Sequence, residues 1–214
     1  MSEDIKHVVG IDPSYSGLGV AVIDEKGRHI TKTFREGARG KEVRQRVARI
    51  DALVSSVFSM LDGLNISAVA IENYAFGMDQ AKAKPGEKDK KRGATLAFKT
   101  GELGGMLRND LCALGPDFPV FEVAIGTLKM FLSGNGRASK DDQIAAALNR
   151  YGVPVTSDDE ADAYGLARLA GCAVGLWKPL DPKQSQAVET ACGVSTTPQK
   201  TIQSLFGGDE PPPF

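Results

Sequence analysis

Histidine and cysteine, which supply most zinc sites, are scarce in this sequence. The chain of 214 residues has 2 histidines, His7 and His29, and 3 cysteines. The cysteines, Cys112, Cys172 and Cys192, are odd in number and lack CxxC spacing. This usage indicates neither a zinc site nor a disulfide framework and is typical of a reducing cytosol. A catalytic metal in this chain would therefore need oxygen ligands.

Long apolar runs are also missing. No stretch approaches the ~20 apolar residues of a membrane-spanning helix, and the polar start lacks the basic segment and apolar core of a secretory signal. We therefore expect a cytoplasmic protein with no membrane partner. A chain of this length with 42% hydrophobic residues is large enough for one well-packed domain and too short for two large ones.

A strong net charge is absent as well, but the charges are unevenly distributed. The formal net charge is −1. Residues 26–49 have nine Lys and Arg against two acids, and residues 79–99 have seven against three. Acidic residues cluster at 158–162 instead. We therefore predict a dipolar molecule with local basic surfaces.

The apolar patterns predict a mixed α/β fold. Three strands of an antiparallel meander are expected first, and a buried strand ends at Glu72. The remaining elements are a strand near 119–123 and helices over 42–61, about 95–114, 127–132, 140–152 and 158–174. This order fits a ribonuclease-H-like topology, a mixed five-stranded sheet with helices available for both faces.

Two segments have compositions unlike the rest of the chain. Residues 79–93 (DQAKAKPGEKDKKRG) are predicted to form a mobile basic loop. Residues 178–214 are rich in Pro, Gln, Ser and Thr and are predicted to be largely disordered. The expected organisation is one domain over 1–177 followed by a tail.

Four carboxylates are predicted to converge at one edge of the sheet. Asp12 ends the first strand and Glu72 ends the strand after the long helix, so neighbouring strand ends would place them together. Asp159 and Asp162 are three residues apart on a predicted helix and would share a face. Oxygen ligands without histidine or cysteine favour Mg²⁺ or Mn²⁺. The hypothesis is a two-metal site for phosphodiester cleavage.

Each acid has a simpler explanation when it is taken alone. Asp12, before Pro13 and Ser14, is also a common turn residue, and acids at 158–160 are favoured at a helix N-terminus by the dipole. Glu72 is harder to explain in this way, because a carboxylate that ends an apolar strand is unusual unless it is paired or functional. The combination favours a site.

Four segments in order resemble the motifs of the RuvC family of Holliday-junction resolvases. GIDPSYSGLGVAV (10–22) resembles the first motif, AIEN (70–73) the second and DEADA (159–163) the last. LKMFLSGNGRASK (128–140) resembles the lysine segment of the family, with Lys129 and Lys140 eleven residues apart. The resemblance covers roughly residues 8–170.

This resemblance implies a ribonuclease-H-like fold, a homodimer and Mg²⁺-dependent paired nicking of four-way DNA junctions. By position, Asp12, Glu72, Asp159 and Asp162 would bind two Mg²⁺ ions, for which Mn²⁺ would substitute. Lys129 and Lys140 would approach the scissile phosphate. The sequence departs from the family in having Ala75 where an aromatic wedge is usual and in a longer, more basic loop after Glu72.

Basic and aromatic side chains around this edge are candidates for contacts with DNA. Phosphate contacts are expected from one helix face and from the basic loop, and stacking on unpaired bases from two aromatic residues. The candidates are Arg44, Arg46, Arg49, Tyr74, Phe76, Lys82, Lys84, Lys90, Lys91 and Arg92. The alternative is a solvated helix face, a solubilising loop and aromatic residues of the core.

The tail has a separate pattern. QKTIQSLF (199–206) resembles the PIP-box peptide by which replication proteins bind sliding clamps. A single helical turn there would place apolar side chains together for insertion into a groove. The candidate clamp-binding residues are Gln199, Ile202, Leu205 and Phe206. Leu205 departs from the usual pair of aromatic residues, and short motifs also recur by chance.

Three other functions are considered. One is a ribonuclease-H-type nuclease for RNA–DNA hybrids, or a less selective branched-DNA nuclease, and another is a noncatalytic junction-binding scaffold. A sugar-kinase or actin-like ATPase is disfavoured, because that architecture needs two such domains. Cleavage of a four-way junction and of a hybrid duplex distinguishes the first two from the resolvase.

Overall fold

The computed structural model describes residues 5–37, 42–73, 87–114 and 117–194, and leaves the side chains of 87–97 undescribed. Its strands are β1 (Lys6–Asp12), β2 (Leu18–Asp24), β3 (His29–Phe34), β4 (Asn65–Glu72) and β5 (Val120–Val123). Its helices are α1 (Val43–Leu61), α2 (Glu87–Ala113), α3 (Ile125–Ser133), α4 (Lys140–Tyr151), α5 (Asp158–Ala173) and α6 (Pro182–Cys192).

The strands form one mixed sheet in the order β3-β2-β1-β4-β5. The first three make the predicted antiparallel meander, and β4 pairs parallel to both β1 and β5. The mixed five-stranded sheet flanked by helices is therefore confirmed. Because β1 and β4 are parallel neighbours, their carboxyl ends lie side by side.

The central strands have large side chains on one face and small ones on the other. Val9 and Ile11 of β1 join the apolar cluster under α1 and α2, together with Ile71 of β4. Ala68 and Ala70 belong to the opposite cluster, under α3, α5 and α6. Since side chains alternate along a strand, Asp12 and Glu72 share the face with the small residues.

Helix α5 approaches this face closely because glycine leaves room for it. A Cβ atom on Gly10 would lie 2.0 Å from the carbonyl oxygen of Ala163, and one on Gly19 would lie 2.2 Å from that of Asp159. Any larger residue at either position would push the helix away from the sheet. The contact places the N-terminal turns of α5 over the carboxyl end of β1.

Helix α1 has the predicted range, but its buried face is shorter than the sequence indicates. Ile50, Leu53, Val54, Val57 and Leu61 are buried. Val43 and Val47, which continue the apolar spacing, are 62% and 42% exposed. The buried face of α1 therefore begins at Ile50, and the first turns of the helix expose their apolar side chains.

Helix α2 begins earlier than predicted. It starts at Glu87, so residues 87–93 of the predicted mobile loop form its first turns. Residues 79–86 lie outside the described residues. Most of these early positions are charged residues or good helix formers, and such residues favour helix propagation.

The domain continues past the predicted boundary at residue 177. Helix α6 begins after Asp181, whose side chain accepts a hydrogen bond from the backbone of Gln184. Ala187 and Val188 are buried against the core. The prediction of disorder is therefore wrong for Pro182–Cys192, where Ala187 and Val188 lie three and four residues after the buried Gln184 and anchor a capped helix. Residues 195–214 lie outside the described residues.

The predicted start of α4 is confirmed in detail. The Ser139 hydroxyl accepts from the backbone of Asp142, and the Asp142 carboxylate accepts from the backbone of Ser139. This reciprocal pair satisfies two amide groups at the helix N-terminus.

Across the ranges described, no helix combines the length and the apolar character needed to cross a bilayer.

Candidate active site

Asp12 and Glu72 lie at adjacent strand ends, as the sequence predicts. Asp12 is the last residue of β1 and Glu72 the last of β4. Ile11 and Ile71, one position earlier, are partners across the two parallel strands. The two carboxylates are therefore at the same edge, on the face covered by α5.

Asp162 completes a group of three carboxylates. It projects from the second turn of α5 and is 9% exposed, whereas Asp12 and Glu72 are half-buried. Among the described residues, one oxygen from each of these three side chains lies within 4.8 Å of the others. The three residues come from distant parts of the chain, and the packing of α5 on the sheet brings them together.

The proximity of these acids changes their protonation. Burial and the charges of Glu72 and Asp162 raise the pKa of Asp12 well above its usual value. Burial also raises the pKa of Glu72 to about 7, helped by Asp162. Burial likewise raises the pKa of Asp162 to about 7, and among the neighbouring charges that of Asp158 contributes most. Three negative charges here are unfavourable unless a cation compensates them.

Asp159 is outside this group, although the helical spacing predicts that it shares a face with Asp162. Its Oδ2 lies 3.3 Å from Nη2 of Arg35, and a Cβ on Gly17 would come within 2.5 Å of the same oxygen. The first turn of α5 therefore lies over β2, one strand away from Asp12. Burial raises the pKa of Asp159.

The two predicted lysines are in different environments. Lys129, on α3, lowers the pKa of Glu72 and of Asp162 by its charge. Lys140, the first residue of α4, forms an ion pair with Asp158. The charges of both lysines therefore act on the carboxylate cluster. The ion pair of Lys140, however, is with Asp158, which is not part of the cluster.

Two of the three arginines predicted to bind DNA from α1 have partners within the protein. Arg46 pairs with Glu102 of α2, with 2.7 Å between Nε and Oε2. Arg49 donates to the Tyr15 carbonyl at 2.9 Å, and its guanidinium lies over the Tyr15 ring. Arg44 is exposed. Thus Arg49 supports the turn after β1, a role that the sequence did not indicate.

The other candidate DNA contacts fall on parts of the chain, or on side chains, that the structure does not describe. Tyr74, Phe76, Lys82 and Lys84 lie outside the described residues, as do the clamp-binding candidates Gln199, Ile202, Leu205 and Phe206. The backbone of Lys90, Lys91 and Arg92 is in α2, and their side chains are undescribed.

Two residues at the site were not predicted. Arg108 of α2 donates to the carbonyl oxygens of Glu72 at 2.9 Å and Gly104 at 3.0 Å, and it pairs with Glu122 of β5. Gln143 of α4 is buried and donates from Nε2 to Oδ1 of Asp162. A polar residue at a buried helical position is the only sequence signal for Gln143, and the α4 pattern is too short to make it stand out.

Replacing Arg108 with methionine should loosen the end of β4. The substitution removes two hydrogen bonds from a charged donor to partly buried carbonyls, so we expect a loss of about 1–3 kcal/mol in unfolding free energy. Because the Glu72 carbonyl loses its anchor, the Glu72 side chain should be held less firmly, and the affinity of the carboxylate group for Mn²⁺ should fall about tenfold. Urea unfolding and a calorimetric Mn²⁺ titration measure the two effects.

Arg150 provides a matched control for this substitution. It also donates to two carbonyls, those of Phe131 and Leu132 at 3.2 and 3.0 Å, and pairs with an acid, Asp181. Arg150→Met should lower stability similarly and leave the Mn²⁺ affinity unchanged. Equal losses of Mn²⁺ affinity in the two variants would contradict a specific role for Arg108.

The three clustered side chains suit a hard divalent cation. All of their donor atoms are carboxylate oxygens, and burial together with repulsion from neighbouring acids raises the pKa of Glu72 and of Asp162. Both histidines are at the starts of strands β1 and β3, away from this edge. Such a donor set favours Mg²⁺ or Mn²⁺ over zinc.

Known proteins with related sequences are junction nucleases. The crossover junction endodeoxyribonuclease RuvC of Thermotoga petrophila is 29% identical over 164 residues, which cover 75% of this chain and 88% of the relative. RuvC of Pseudothermotoga lettingae is 29% identical over 171 residues, 78% of this chain and 94% of the relative. No protein-family model matches the chain.

A RuvC protein also has a similar fold. The solved structure of T. thermophilus RuvC in complex with Holliday junction substrate superposes with a TM-score of 0.56 at 22% identity, over 75% of this chain and 90% of that chain. Its similarity supports the ribonuclease-H-like arrangement that the element order predicts. The resemblance to RuvC that the four sequence motifs indicate is therefore confirmed, in sequence by the bacterial relatives and in fold by the solved structure.

Proposed function

We propose that this chain is a metal-dependent crossover junction endodeoxyribonuclease that resolves four-way DNA junctions by paired nicking. The observation that carries the proposal is the convergence of Asp12, Glu72 and Asp162 within 4.8 Å at the edge of the sheet. Relatives of similar length have this activity in their names. Such an activity belongs to DNA recombination and repair.

Asp12, Glu72 and Asp162 would hold the metal, which we propose to be two Mg²⁺ ions with Mn²⁺ as a substitute. When bound, the metal pair lowers the pKa of the attacking water and stabilises the leaving oxygen. Asp159 would join the ligand set when its ion pair with Arg35 opens. That pair is half-exposed and weak enough to exchange, because side-chain accessibility is 61% for Arg35 and 18% for Asp159.

The lysines would stabilise negative charge on the reacting phosphate. Lys129 already acts on Glu72 and Asp162 through its charge. Lys140 is 76% exposed and can leave Asp158 for a phosphate oxygen. Positive charge placed where negative charge develops is among the largest contributions to catalysis.

DNA would lie across the edge that contains the carboxylates. Arg44 remains available on α1, and we retain Tyr74, Phe76, Lys82, Lys84, Lys90, Lys91 and Arg92 as proposed contacts. Arg46 and Arg49 would contribute less to DNA binding, because their guanidinium groups already contact Glu102 and Tyr15. Affinity should fall steeply with salt, since phosphate contacts release counterions.

Cleavage of matched substrates tests the proposed function. The purified chain is mixed with Mg²⁺ and either a synthetic four-way junction, a linear duplex or an RNA–DNA hybrid. We expect symmetric nicks in the junction alone. Preferential cleavage of the hybrid would favour a ribonuclease-H-type enzyme, and junction binding without nicks in Mg²⁺ or Mn²⁺ would favour a noncatalytic scaffold.

We further propose a homodimer, because paired nicking needs two active sites. Exposed apolar side chains on the adjoining helices α1 and α2 support it, namely Val43, Val47 and Phe98 at 62%, 42% and 74% exposure. Val47→Glu should therefore give a monomer in sedimentation velocity and lose paired nicking. Leu148→Glu, at a 52% exposed position on α4, should remain dimeric, and a dimeric Val47→Glu protein would reject this interface.

The tail is proposed to bind a sliding clamp through Gln199, Ile202, Leu205 and Phe206. The support is the sequence pattern QKTIQSLF alone. A fluorescent peptide of residues 195–210 should bind a purified clamp in an anisotropy titration, and a peptide with Ile202→Ala and Phe206→Ala should not. Equal binding of the two peptides would remove the proposal without affecting the nuclease.

A further inference from the structure

Gln143 is an amide side chain buried beside the carboxylate cluster. It is 1% exposed and shares the inward face of α4 with Ala146 and Ala147. The helix packs against α5, which contains Asp162. A buried amide has four hydrogen-bonding positions to satisfy, so its contacts indicate why it is there.

Only one side of the amide is satisfied by the described part of the protein. Nε2 donates to Oδ1 of Asp162, whereas Oε1 is buried and accepts no hydrogen bond from these residues. An unmet buried acceptor costs about 1–3 kcal/mol. Methionine or leucine has a similar volume and would avoid this cost, so packing alone does not account for glutamine at this position.

We propose that Gln143 is a positioning residue that orients the carboxylate of Asp162 for divalent-metal binding. The inference rests on the proposed metal-dependent function and deepens it. With Oδ1 held by α4, the side-chain torsions of Asp162 are fixed and its other oxygen is left for the cation. Hydrogen bonds from outer residues to a metal ligand commonly set its affinity in this way.

The neutrality of the amide suits this role. Lysine or arginine at the same position would also donate to Asp162, but its charge would neutralise the carboxylate and compete with the metal. An amide donates a hydrogen bond and leaves the negative charge in place. Because an amide oxygen facing the carboxylate would repel it, the NH₂ group faces Asp162.

Gln184 offers a matched control in the same protein. It is also a glutamine that is 1% exposed, but it lies on α6. Its Nε2 donates to the carbonyl of Phe131 at 3.0 Å and to the hydroxyl of Tyr151. None of these groups belongs to the carboxylate cluster, so its replacement tests the loss of a buried amide alone.

The experiment compares Gln143→Met and Gln184→Met in the full chain. Mn²⁺ binding is measured by isothermal titration calorimetry, and melting temperature is measured with EDTA and with saturating Mn²⁺. We expect Gln143→Met to bind Mn²⁺ about tenfold to hundredfold more weakly, with a melting temperature in EDTA equal to or above that of the unsubstituted protein. Gln184→Met should melt earlier in EDTA and bind Mn²⁺ normally.

Several outcomes would overturn the inference. Unchanged Mn²⁺ affinity in Gln143→Met would do so, and so would an equal affinity loss in both variants, since that indicates general destabilisation. If the unsubstituted protein binds no Mn²⁺, the inference and the proposed metal site fail together. If it binds Mn²⁺ with the expected difference but does not cut junctions, the proposed function fails while the role of Gln143 stands.

Discussion

Asp12→Asn should abolish Mg²⁺-dependent junction cleavage, with a rate loss of at least about a thousandfold, while junction binding is preserved. One carboxylate oxygen of Asp12 lies within 4.8 Å of one from Glu72 and one from Asp162, and burial together with these two charges raises the pKa of Asp12. An amide at this position removes one of three anionic donors from the proposed metal site. Metal ions contribute several kcal/mol of transition-state stabilisation, and each 1.4 kcal/mol lost is tenfold in rate.

The measurement pairs single-turnover cleavage with a gel-shift titration of the same four-way junction. Binding should be retained, since phosphate contacts come from basic side chains and not from Asp12. Asp24→Asn is a suitable control because Asp24 is also a strand-end acid, which is 5% exposed and paired with Arg28. That variant should be less stable and cleave normally once folded, and nicking by Asp12→Asn at the unsubstituted rate would refute the site.

Much of this site was predictable because strand geometry determines it. Alternation along β1 and β4 puts Asp12 and Glu72 on the side of their small neighbours, and parallel pairing puts the two strand ends together. The small residues carry a signal of their own. Gly10, Ala68 and Ala70 on one face mark where a helix approaches the sheet, and that helix supplies Asp162.

The remaining features depend on tertiary contacts that the sequence pattern does not contain. Positions three apart on a helix differ by about 60° in direction, so Asp159 and Asp162 reach different strands once α5 is seated across β1 and β2. Arg108 is one of many charged residues on a long helix until its carbonyl partners are known. Helix α6 was missed because its polar composition hides the two residues that anchor it, Ala187 and Val188.

Without a divalent cation, the stability of the protein should fall as pH rises from about 5 to 8. Glu72 and Asp162 have pKa values of about 7 in the folded protein, against usual values of 4.5 and 3.8. As pH rises, the unfolded chain loses these protons first, so folding becomes less favourable until both folded groups are ionised. Asp24 and Asp181 have lowered pKa values and act in the opposite direction, but that stability is lost only below about pH 4.

The variant Glu72→Gln isolates the contribution of the carboxylate cluster to the pH dependence of stability. Removing the ionisable carboxyl group of Glu72 should make the EDTA-treated variant more stable than the unsubstituted protein by roughly 1–3 kcal/mol at pH 8. The difference should vanish near pH 4, below the usual pKa of Glu72. Urea unfolding at the two pH values measures this. A divalent cation should reverse the order at pH 8, because a ligand that binds only the folded state stabilises it by mass action.

The reversal separates a metal site from an accidental cluster of acids. Repulsion alone makes Glu72→Gln more stable at pH 8 whatever the cation, apart from weak screening by salt. A built site makes the unsubstituted protein gain more from millimolar Mn²⁺ than from NaCl of equal ionic strength. If stability in EDTA does not fall between pH 5 and 8, or if Mn²⁺ stabilises both proteins equally, the three carboxylates do not act together as a cation site.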